Sequence, residues 1–152
     1  MYTTVLFLHS ILRWAIVLAG LWAVLRAFKG VSGKTPFTPA DNKAGLFYMI
    51  FLDLQLLFGL ILYGISPLLK SAMADMGAAM KNPELRFWAV EHFALALVAI
   101  VLAHIGRSKV KKATTDAAKH KKGLVLFGLS FLFVILQVVM VVSKGRGWFP
   151  TL

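Results

Sequence analysis

Four helices crossing a bilayer in an up-down bundle are what this sequence predicts, an all-α fold resting on three observations. Four apolar runs, 5–28, 44–65, 87–105 and 124–142, approach or exceed the roughly 20 residues needed to cross about 30 Å of hydrocarbon. Hydrophobic residues make up 59% of the chain and mean hydropathy is +0.78, well above the roughly 45–50% apolar content of soluble domains. Basic residues gather in the connections rather than along the runs: Arg26, Lys29, Lys34 and Lys43 flank the first, and Arg107, Lys109, Lys111, Lys112, Lys119, Lys121 and Lys122 crowd the third. Those two connections lie on one face, which the positive-inside rule makes cytoplasmic and which puts both termini outside. The formal net charge of +11 therefore meets anionic lipid headgroups, not nucleic acid. Residues 1–152 form one integral membrane domain, because no connection is long enough to fold separately.

The first run opens with no basic leader and carries His9 and Arg13 early, so it reads as a retained helix and not as a cleaved signal. His9, Arg13, Ile16, Gly20 and Ala23 share one face. Residues 29–45 are rich in turn formers, with Asp41 or Asn42 as the cap of the second helix. That helix carries Asp53 and Gln55 and stops before Pro67. Residues 68–81 read as a short interfacial helix. Asn82, Pro83 and Glu84 then supply a cap, a proline at the first helical position and an acid in the first turn. The last helix has only Ser130 and Gln137 as interior polar candidates and reads as a packing partner. No internal repeat stands out. Trp14, Trp88 and Trp148 fall toward the outer face, as an aromatic belt does. With no cysteine, disulfides, thiolate metal sites and covalent haem attachment are excluded.

Functional expectation centres on the third run, where Glu91 and His92 stand in an apolar stretch. Ionisable groups at membrane depth are expensive and face a protein interior. His92, Ala96, Ala99 and Ala103 lie within about 40° of one another on a helix, giving His92 a groove of small side chains. Such a groove admits a close helix or a flat ligand. The first and third helices run the same way, and His9 and His92 each fall roughly 6–8 Å below the outer boundary. Two level imidazoles beside small residues are what a bundle needs to hold a haem by its axial positions. Two packed histidines answer to the same spacing. His104 lies on another face, beside Arg107 at the inner boundary, with no obvious inner-side partner for a second haem; His120 reads as solvated in the basic loop. Arg13 needs an anion, for which Glu91 and Asp53 are the intramembrane candidates and Gln55 a hydrogen-bonding neighbour. This set reads either as a buried ion pair that fixes helix order or as a partner for a haem propionate, a quinone oxygen or a proton path.

The segments LHSILRW, QLLFGLILYGISP, RFWAVEHFALALVAI and GRSKVKKATTDAAKHKK together resemble a family of small four-helix membrane proteins of Bacteroidetes labelled "cytochrome b". The resemblance covers nearly the whole chain and implies an inner-membrane protein with haem b and an electron-transfer role. His9 and His92 match the family's recurring histidines. Under this reading they are axial ligands, Arg13, Gln55 and Glu91 tune the site, and quinone or a membrane oxidoreductase is the redox partner. Two other classes stand beside it: a non-redox structural or assembly subunit of an oligomer or larger complex, and a proton or small-solute carrier.

Overall fold

Every spanning helix extends past its apolar run, because the charged residues at the run's ends are good helix formers and carry their own caps. A computed structural model describes residues 1–149. Helix α1 spans Tyr2–Gly33 and α2 Pro39–Ile65, joined by a turn far shorter than the loop expected from composition. The cap of α2 is Thr38 and not Asp41 or Asn42. Asp41 is its third residue, accepting from the Thr38 N–H at 2.8 Å to complete a capping box, while Arg26 of α1 donates to the same carboxylate at 2.7 Å. Ser66 caps α3 (Pro67–Ala74), Asp75 caps α4 (Met76–Lys81) and Asn82 caps α5 (Pro83–Lys112). Thr115 starts α6 (Asp116–Ser143) well before its apolar run. Within α5, Phe87–Glu91 form a π turn, closed by the His92 N–H on the Phe87 carbonyl.

The long helices α1, α2, α5 and α6 are each long and apolar enough to cross a membrane. Each packs on the next around a ring, so α1 and α5 are diagonal. Small residues bring the helices close. A Cβ on Gly20 would lie 2.8 Å from the Tyr48 ring, and Phe131 closes over the same point. One buried polar chain ties three helices: Ser130 Oγ donates to the Ala99 carbonyl at 2.7 Å and so accepts from the Tyr48 hydroxyl at 2.8 Å. Between α2 and α5, the short helices α3 and α4 fold beneath the start of α5, burying Leu69, Ala72, Ala79 and Ala89 together. The outward faces carry large apolar side chains, including Leu18, Leu57, Val101 and Leu132, as a hydrocarbon-facing wall requires.

His120 is not solvated. It is 1% exposed, because α6 begins ahead of it and turns it inward under the α1–α2 turn, where Nε2 donates to the Thr35 carbonyl at 3.1 Å. Its ring occupies the space a side chain on Gly30 would need. Gly30→Ala is therefore expected to lower stability by about 1–3 kcal/mol through overpacking. Gly128→Ala, whose Cβ meets nothing, is expected to be neutral or slightly stabilising. Thermal unfolding of both variants in one detergent checks the contrast.

Candidate functional site

Each spanning helix contributes one polar side chain to a single layer. His9 comes from α1, Gln55 from α2, His92 from α5 and Gln137 from α6. Gln55 Nε2 lies 3.3 Å from His9 Nε2, across a sequence separation of 46. Gln137 Nε2 donates to the His92 carbonyl at 2.6 Å and lies 3.1 Å from its Nδ1, across a separation of 45. Two helical hairpins thus bring the same His–Gln pair to the same level, an internal recurrence that sequence inspection passes over because little else matches between the halves. Gln137, on a helix that reads from sequence as a packing partner, belongs to this layer; the signal was available, since Gln137 lies five residues inside the end of the run 124–142, as His92 lies five past the start of the run 87–105.

The two imidazoles meet across the diagonal, ring centroids 6.4 Å apart with planes at 65°. They border a cavity of about 380 Å³ that reaches the end of the bundle where α1 begins and α6 ends. Gly59, Ala96 and Ala99 leave it open, whereas Ala103, deeper on the same face of α5, is fully buried against α6. The groove of small residues therefore borders open space at its His92 end and is packed within the bundle at its Ala103 end. Its size falls within the range of small-molecule sites.

The donor set fits a haem. Two imidazoles with centroids 6.4 Å apart beside an open cavity could together hold the iron of a haem, which would supply one-electron exchange there. Each ring also keeps one nitrogen without a hydrogen bond among the described residues: Nδ1 of His9, which is buried, and Nε2 of His92. An amide offers a donor and an acceptor about one pivot. As placed, the Gln137 amide nitrogen donates to the His92 carbonyl and faces Nδ1, which then accepts while Nε2 carries the hydrogen; for Nε2 to bind a metal, the amide would have to turn its oxygen to Nδ1–H and give up the carbonyl.

The charged residues are placed differently from the expectation. Arg13 lines the cavity but pairs with neither Glu91 nor Asp53. Its guanidinium donates to the carbonyls of Gly147 at 3.3 Å and Trp148 at 2.9 Å, and Trp14 Nε1 donates to the latter at 2.8 Å. Residues 143–149 fold back over the cavity mouth, with Gly145, Arg146, Gly147 and Phe149 in its wall. Glu91 lies outside the cavity, bonded to Arg86 at 2.8 Å, a partner the π turn brings within reach. Asp53 bonds His104 at 2.7 Å on the outward wall of α2 and α5. Glu91, Arg13, Asp53 and Gln55 consequently do not line one path. Trp14, Trp148 and Phe149 cluster at the outer end, and Trp88 stands 5.4 Å from His92. Comparisons with protein-family models, with curated proteins and with solved structures return no match.

Removing the Arg13 anchor should loosen the returning segment. Hydrogen bonds to a charged group contribute about 1.5–3 kcal/mol, so tryptic cleavage after Arg146 is expected to accelerate roughly tenfold in Arg13→Met. Mass spectrometry of timed digests reads this directly; an unchanged rate would assign the hold to Trp14.

Proposed function

We propose that this protein is a small b-type cytochrome of the inner membrane, with haem held between His9 of α1 and His92 of α5. One observation carries the reading: two part-buried imidazoles on diagonal helices, 6.4 Å apart, at the edge of an open cavity of about 380 Å³. Haem supplies one-electron exchange, and the apolar wall around it sets the potential. The chain's own residues would do the rest. His9 and His92 would provide the nitrogen ligands, Gln137 would fix the orientation of the His92 ring, and Gln55 that of His9. Arg13 and the returning segment would shield the mouth from water. Quinone or a membrane oxidoreductase is the electron partner in this proposal. The basic ends of α1, α2, α5 and α6 would face the cytoplasm and both termini the opposite side. The resemblance to the small four-helix proteins labelled "cytochrome b" agrees with this assignment.

A non-redox assembly subunit is the second reading, favoured by the way Arg13 is engaged with main-chain carbonyls and Glu91 with Arg86, so that both lock the fold. Visible absorption of the purified protein, oxidised and then reduced with dithionite, separates the two. The cytochrome reading expects the sharp reduced band pair of six-coordinate haem b, abolished in His9→Ala and His92→Ala. Gln137→Leu is expected to keep the bands while weakening haem affinity about 10–100-fold. A flat spectrum from folded protein expressed with ample haem would hand the function to the assembly reading.

A further inference from the structure

The contact between Asp53 and His104 belongs to neither the cavity nor the bundle core. Asp53 sits near the middle of α2, and its side chain is 44% exposed; that of His104 on α5 is 48% exposed. Their neighbours on the same wall are apolar and also exposed: Ile50, Leu54 and Leu57 on α2, Leu97, Val101 and Ile105 on α5. The other ion pairs of the spanning helices, Arg26 with Asp41, Arg86 with Glu91 and Lys144 with Glu84, lie near helix ends where water and headgroups are in reach. This one lies within the apolar runs 44–65 and 87–105, with His104 next to the end of its run, on a wall whose other exposed side chains are apolar. Among the described residues neither side chain has a second hydrogen-bond partner, which leaves one carboxylate oxygen and one ring nitrogen unsatisfied on each molecule. Hydrocarbon can bond neither, so ionisable groups at this depth are found facing protein.

We propose that the α2–α5 face is covered by a second copy of this chain, in a two-fold dimer with the Asp53–His104 pairs of the two molecules against each other. The chemistry selects this occupant. The wall presents one acceptor and one titratable ring side by side in an otherwise apolar surface, a set complementary to itself. A two-fold axis through it places Asp53 of each molecule at His104 of the other, closing four polar groups into one cluster. Ile50, Leu57, Val101 and Ile105 then pack around that cluster and exclude lipid. Asp53, His104, Leu57 and Val101 are not among the residues that line the cavity between His9 and His92, so dimerisation and ligand binding are tested separately.

The chain has no cysteine, which allows a clean test. Single cysteines are introduced at Val101 and Leu57 on this wall, and at Leu18 of α1 and Leu132 of α6 as equally lipid-facing controls. Full-length protein in vesicles at high lipid-to-protein ratio is treated with a short bis-maleimide. Val101→Cys and Leu57→Cys are expected to cross-link at least about tenfold faster than the controls, as fixed proximity demands. Adding Asp53→Leu and His104→Leu together, a change that suits hydrocarbon and spares the core, is expected to return both to the control rate. Equal rates at all four sites, or cross-linking confined to the controls, would overturn the proposal and give the face to a different protein or to lipid. Fast cross-linking that persists in the double-leucine background would overturn the role of the pair.

Discussion

Hydrocarbon offers no hydrogen bond, so each of the four polar side chains carried at one level by α1, α2, α5 and α6 must find its partner inside the bundle. That requirement fixes helix order more sharply than apolar packing does, since leucine faces are nearly interchangeable in lipid. His9 must adjoin Gln55, and His92 must adjoin Gln137. Once those neighbours are set, Gly20 falls beneath Tyr48, and the Tyr48–Ser130–Ala99 chain closes below the layer. The cavity arises from the same arrangement. Four polar heads of moderate size, opposite Gly59, Ala96 and Ala99, cannot fill the space that aromatic or branched side chains would.

The four spanning helices are legible in the sequence because hydropathy reports them directly. Their ends are not, because lysine-rich turns at 106–112 and 116–123 are both polar and helical, and hydropathy sees only the first property. His120 is a casualty of that confusion: read as loop it is solvated, read as the first turns of α6 it is buried. The histidine layer is legible through depth, since residues on parallel helices can be counted from the same boundary. Partners of charged groups are less so. Arg13 bonds main-chain carbonyls of a returning segment that has no periodic signal, and nothing in residues 143–149 announces where they go. Glu91 finds Arg86 through a π turn, and neighbours five apart are strangers in an ordinary helix. His104 meets Asp53 across a seam whose relative rotation no pattern states.

The two hairpins share more than the His–Gln pair. Ile16, Gly20, Ala23 and Ala27 of α1 occupy the same buried stations as Ala99, Ala103, Gly106 and Val110 of α5, and Gly45, Tyr48 and Leu52 of α2 the same as Phe127, Ser130 and Val134 of α6. Side-chain size is traded between the halves. Tyr48 is large where Ser130 is small, and Phe127 is large where Gly45 is bare. The site lies at the meeting of two similar halves, each supplying an imidazole and the amide that holds it.

The π turn at Phe87–Glu91 gives α5 two faces out of step with each other. One extra residue in a turn rotates the helix on its N-terminal side by about 100° relative to the helix on its C-terminal side. Phe87 and Ala89 are thereby buried at the outer end, while His92, Ala96 and Ala99 address the cavity. In terms of heredity the two surfaces are phased by a single codon. Losing it in frame would leave every core residue present and every helix apolar, yet would set the outer cap of the molecule against the wrong side of its own site.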